Sequence, residues 1–161
     1  MPYSASLIAA IFVKRGIEQR KYVTQMKLQK MVYFAHGYYL AKYGEPLIIE
    51  GFEAWKFGPV IPQIYQDYKF YGSDYITNIE YASLLGMELE DADINQLSEN
   101  ARDAVNFTWE TLKNISAGKL SSWTHLEGSP WQQVYNENDR EIKIDNNVIK
   151  DYFASFLAAN N

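Results

Sequence analysis

One segment limits the folds open to this chain more than any other: the run from about Thr24 to Tyr43, which reads as a helix apolar around most of its circumference. Leu28, Met31, Val32, Ala35, Tyr38 and Tyr39 fall on one stripe at helical spacing, while Tyr33, Phe34, Leu40 and Ala41 lie elsewhere on the cylinder. A helix with a single apolar stripe can rest on a surface, but one that is apolar nearly all round has to be enclosed by other elements. Gly37 lies opposite the main stripe, where a missing side chain lets a neighbour approach closely, at about 1 kcal/mol of helix propensity relative to Ala. Gly44 and Pro46 close the segment. The expected fold class is mainly α (α+β): a compact helical domain around a central buried helix, with a small antiparallel β-hairpin or short sheet.

The other elements are arranged around that helix. Ser4 is placed to cap a first helix carrying Leu7, Ile8, Ile11 and Phe12, which Gly16 would end with Lys14 and Arg15 in the last turn. Leu47-Ile48-Ile49 and Phe52 to Phe57 flank Glu50-Gly51 and predict a short antiparallel hairpin. Gly58-Pro59 would break its second strand, and Pro62 suits the first turn of a helix running to about Tyr71 before Gly72. Residues 73 to 97 read as loop. Ser98 can cap a long helix with the stripe Ala101, Ala104, Val105, Thr108, Trp109, Leu112 and Ile115, followed by Gly118. A short helix over about Lys119 to Leu126 and another from Ser129-Pro130 through Tyr135 come next. Glu141 to Ile144 alternates and predicts a third small strand, and Asp145 caps a final helix with Ile149, Tyr152, Phe153, Phe156 and Leu157 on one face. No internal repeat or linker interrupts the chain, which reads as one domain over residues 1 to 161.

Composition narrows the function. With 47% hydrophobic residues the chain is expected to be globular, and no apolar run reaches the roughly 18 residues of a spanning helix. The absence of cysteine excludes a disulfide framework and, with no signal-like start, points to a cytoplasmic protein without membrane association. The net charge of −5 hides an asymmetry: residues 1 to 43 carry +6 and the remainder −11. Such a chain can meet an acidic partner with its first part and a basic partner with the rest, or simply carry solvated helix faces, whereas its acidic whole disfavours sequence-independent nucleic-acid binding.

The stretch from Thr124 to Trp131 looks most like machinery, with a histidine, a carboxylate and a Pro-Trp pair within eight residues. A small hydrolase or transferase using His125 and Glu127 as acid and base is chemically conceivable. Yet no phosphate loop, nucleophile elbow or dinucleotide fingerprint accompanies them. A metal site would need more ligands than His125 and the distant His36 supply, so no metal or cofactor is expected. The structural reading is stronger: Thr124 and His125 as hydrogen-bonding groups at a helix end, Glu127 near the next helix, and Trp131 packed in the core.

Three separated segments together resemble a known family. Lys27 to Ala41, Glu53 to Tyr65, and Leu120 to His125 with Glu127 and Pro130-Trp131 look like the signature of the Panacea antitoxin domain family, which takes in SocA-like proteins and phage-associated GepA-type proteins. The likeness extends over about residues 5 to 157, and the added Gly128-Ser129 departs from the pattern by lengthening the turn before the Pro-Trp helix. The resemblance implies a mostly helical, non-enzymatic antitoxin that neutralises a cognate protein toxin encoded nearby by direct contact. It also admits an adaptor that delivers its partner to a protease, and a homodimer is compatible with it. Gln29, Gly37, Gly58, Pro59, Thr124, His125, Glu127, Pro130 and Trp131 are the motif positions expected to build the structure. An interface of the size direct neutralisation requires is anchored by aromatic and basic side chains. On that ground Lys27, Lys30, Trp55, Lys56 and Tyr65 are expected at or near a partner-facing surface.

Overall fold

The structure is a computed structural model that describes residues 1–83, 87–139 and 141–159. Helix α1 (Ala5–Gln19) begins at Ser4, whose hydroxyl accepts from the Leu7 N–H. It runs past Gly16, the residue expected to end it, and stops at Arg20 in the left-handed region at φ 55°. Lys14 and Arg15 are therefore not in its last turn. Gly16 answers a different need, because a Cβ there would come within 2.9 Å of the Lys21 carbonyl as the chain folds back across the helix end.

Helix α2 (Gln25–Tyr43) is the enclosed element that its composition demands. Thr24 caps it by accepting from Lys27 N–H, and Gly44 ends it at φ 77°. Its most extensive packing is against α7 (Asn146–Ala159) and α4 (Glu99–Leu112), and it also meets α1 and α5 (Ala117–Thr124). Gly37 is where α7 comes closest: a Cβ on it would lie 2.4 Å from two ring carbons of Phe153. That ring packs edge-on against Tyr33 and Phe34, with centroids 5.5 and 5.7 Å away.

The hairpin falls one segment later than the alternation suggested. β1 (Glu53–Trp55) pairs antiparallel with β2 (Gly58–Val60) in the register Glu53 to Val60, Ala54 to Pro59 and Trp55 to Gly58. Gly58-Pro59 thus forms the second strand instead of breaking it. This is tolerated because β2 is an edge strand of a two-stranded ribbon, where the N–H that proline lacks need not enter a ladder. Leu47-Ile48-Ile49 crosses to the N-terminus, with Tyr3 N–H donating to Leu47 C=O and Ile49 N–H to Tyr3 C=O, each at 2.9 Å. The expected third strand is reduced to a bridge beside β1: Ala54 N–H donates to Ile142 C=O and Ile144 N–H to Phe52 C=O.

Pro62 opens α3 (Pro62–Tyr68), which tightens into a 3₁₀ turn over Lys69–Tyr71 before Gly72. The stretch read as loop carries 3₁₀ turns at Leu89–Asp91 and Ile94–Gln96, and its residues 84–86 lie outside the described residues. Ser98 caps α4 as expected, burying Ala101, Ala104, Val105, Thr108, Trp109 and Leu112. Gly118 does not follow a helix but sits inside α5, which Ser116 caps. Ser129 caps the short α6 (Pro130–Val134), and Asp145 Oδ1 accepts from Asn147 N–H at the start of α7. Among the described residues, no helix is long and apolar enough to cross a membrane.

Candidate functional site

The three segments that are far apart in sequence meet at the hairpin. Gly58 has φ 119°, a conformation that glycine alone adopts readily. A Cβ on it would lie 2.7 Å from both Lys30 Cε and Thr124 Oγ1, so α2 and α5 grip the backbone from two sides. A ribbon of two three-residue strands does not hold together unaided in water. Here its carbonyls are taken up one after another by side chains from the other two segments. Trp131 Nε1 donates to Trp55 C=O at 2.6 Å, Ser121 Oγ to Phe57 C=O at 2.7 Å, and Lys30 Nζ to Pro59 C=O at 3.1 Å. Gln29 closes both ends of one peptide register, donating to Ile61 C=O at 3.1 Å and accepting from Ile61 N–H at 2.9 Å.

His125 belongs to the same clamp. Its Nδ1 lies 2.6 Å from Ser121 C=O and its Nε2 3.1 Å from Lys56 C=O, while its ring centroid is 3.8 Å from that of Trp131. Both neighbours are acceptors, so a ring with one N–H serves one of them and a ring with two serves both. Thr124 Oγ1 donates to Ser121 C=O, and Ser129 Oγ, which caps α6, donates to Thr124 C=O at 2.7 Å. The lengthened Gly128-Ser129 turn is thereby tied back to the end of α5, with Gly128 at φ 82°. Glu127 is exposed and makes no hydrogen bond or ion pair among the described residues, so the geometry does not join it to His125 as an acid–base couple.

Beside the hairpin lies an open groove of about 710 Å³. Trp55 and Tyr65 form one wall, edge-to-face with centroids 5.2 Å apart. Phe57, 57% exposed, and Lys56, whose ammonium lies 5.5 Å from the Phe57 ring, stand at the hairpin tip. Gln25, Met26 and Gln29 of α2, Val60 of β2, Gly72, and Tyr135, Asn136 and Glu137 after α6 also line it. Lys30, Trp55, Lys56 and Tyr65, expected to face a partner, all line this groove, and Lys27 lines a second hollow next to it. Lys30 is a correction in one respect: it is only 1% exposed, because its stem is packed under Gly58 and its ammonium is spent on Pro59. Burial lowers its pKa to about 7, and no carboxylate pairs with it among the described residues. Met26, Phe57 and Tyr135 escaped the sequence reading. Phe57 was hidden because the expected hairpin placed it in a strand, whereas the pairing of β1 with β2 puts it at the tip.

His36, the other histidine, is fully buried in α2. Burial lowers its pKa to about 4, its Nε2 lies 2.9 Å from Asn146 Oδ1, and its Nδ1 has no partner among the described residues. The neutral ring pins the start of α7 to α2. No group of three or more His, Asp or Glu is placed to hold a metal ion among the described residues.

A helical body that grips a short hairpin by its carbonyls, beside an aromatic groove, is a domain built to hold a shape. The chain belongs to the antitoxin SocA-like, Panacea domain family, whose pattern matches residues 28–132, from α2 through the start of α6. It is similar to antitoxin SocA of Caulobacter vibrioides (strain NA1000 / CB15N), with 34% identity over 142 residues that make up 81% of this chain and 72% of that protein. No solved structure matches it.

Proposed function

We propose that this protein is the antitoxin of a toxin–antitoxin module and neutralises a cognate protein toxin by direct contact, with the groove beside the hairpin at the centre of the interface. Membership of the SocA-like family supports the antitoxin role. The observation that carries the direct-contact reading is the groove itself: Trp55, Tyr65 and Phe57 line a concave surface whose backbone is fixed by side-chain bonds in advance. Pre-organised aromatic side chains in a concave setting are what give protein interfaces most of their energy. The reading needs no catalytic group and no cofactor, because His125 serves the Lys56 carbonyl and Glu127 stands apart. It places the protein in the cytoplasm with its toxin.

Co-expression tests it. The product of the neighbouring gene should arrest growth when expressed alone, and growth should return when this chain is supplied. The two proteins should also co-purify. A neighbouring product that is harmless alone, or one that stays toxic while bound, refutes the reading.

A further inference from the structure

A second, charged concavity takes its lining from the same end of α2 as the groove. The cap and first turn of α2 contribute to both: Gln25 and Met26 line the groove, whereas Thr24 and Lys27 line a hollow of about 420 Å³. Met26 is 36% exposed. Arg20, Lys21, Lys27 and Lys113 line the hollow, and no Asp or Glu lines it.

Two of those cations, Lys21 and Lys27, are held by neutral acceptors. Lys21 Nζ donates to Asn114 Oδ1 at 2.8 Å and Lys27 Nζ to Lys113 C=O at 2.7 Å, while Lys113 alone has a carboxylate, Glu110, at 2.6 Å. Neither α2 nor α5 carries an acid in its first turn, so the positive ends of both helices add to the field. Lys27 is held below its ordinary pKa by burial and by the Lys21 ammonium, as expected of a cation in a repulsive setting. On the groove side, Lys56 adds a further positive charge against Glu137.

Resting on the proposed function above, we infer that the toxin segment received here is an acidic one. An apolar or aromatic residue enters the groove against the wall formed by Trp55 and Tyr65, and carboxylates next to it in sequence reach past Met26 to Lys21 and Lys27. Charge complementarity decides the occupant. The rest of this chain carries −11 and repels a long polyanion such as nucleic acid, while a hollow of this size accepts two or three carboxylates. Arg20, Lys21 and Lys27, three of the seven basic residues among the first 43, meet in this hollow.

The test uses no toxin, so its outcome is separable from that of the neutralisation experiment. The ¹⁵N-labelled protein is titrated with acetyl-Trp-Glu-Glu-Glu-amide, with the matching tri-Gln peptide, and with an eight-residue oligothymidylate. The acidic peptide is expected to shift the amides of residues 20–27 and the Trp55 indole. Its affinity should exceed that of the Gln peptide by about fivefold or more at low salt, an advantage lost at 0.5 M salt. The Lys21→Glu variant, altered at an exposed position that leaves the fold intact, should lose the same advantage, and Lys27→Gln should lose part of it. Equal binding of the two peptides, shifts confined to other surfaces, or tighter binding of the oligonucleotide overturns the proposal.

Discussion

Replacing Gln29 with Leu tests the hairpin clamp at its most enclosed point. The substitution keeps roughly the volume of the side chain and removes both hydrogen bonds to Ile61, which is 0% exposed. It leaves the buried Ile61 N–H without a partner, at about 1–3 kcal/mol, while Ile61 C=O keeps the Tyr65 N–H at 3.2 Å. Leucine recovers part of this by being easier to desolvate than an amide, which puts the net loss at about 1–2 kcal/mol. On a domain worth about 5–15 kcal/mol in total, such a loss is large. Urea unfolding followed by tryptophan fluorescence reads it directly, as a lower midpoint with an unchanged slope. A loss below about 0.5 kcal/mol refutes the reasoning, since it would mean that water or another side chain satisfies Ile61 and that Gln29 does not hold the strand.

Gly37→Ala should destabilise by about 1–2 kcal/mol, because overpacking against Phe153 outweighs the helix-propensity gain, and Phe153→Leu in the same chain should restore most of it, as thermal unfolding would show. Lys30 has a folded pKa of about 7 against an ordinary 10.5, so the unfolded chain binds more protons between those values and stability should rise with pH from 7 toward 9.5. Lys30→Met should flatten that rise in denaturant midpoints measured across the same window. His125→Ala should cost about 1–2 kcal/mol of stability through the lost bond to Lys56 C=O, while refolded protein keeps toxin affinity within a few-fold. A total loss of function in a fully folded variant would reopen catalysis.

The helices were legible because their signals are local. Ser4, Ser98 and Ser129 each cap the helix they were expected to cap, and Gly44 ends α2, whose expected first residue, Thr24, is its cap. Gly16 and Gly118 misled because glycine also serves where space is short or where nothing forbids it, and a helix can run through it. The hairpin was misplaced for a tertiary reason. Leu47-Ile48-Ile49 has a strand's composition, but its partner is Tyr3, 45 residues away from Ile48 in sequence. The strand that does form contains a proline, which local rules reject. The clamp itself joins residues 29 to 76 positions apart, so the types of Lys30, Ser121, His125 and Trp131 were visible but their shared target, the carbonyl row of one short ribbon, was not. Nor could spacing alone show that Lys30 would be enclosed while Lys56 stays exposed.

The account stands on one claim, that a protein toxin is held at the groove beside the hairpin. Calorimetric titration of the neighbouring gene's product into this protein and into its Trp55→Ala variant tests it most directly, with circular dichroism confirming that both are folded. The expected result is tight binding by the parent and an affinity lower by about tenfold or more in the variant, as for a central aromatic anchor. Equal affinities for the two would contradict the claim and move the interface elsewhere on the molecule.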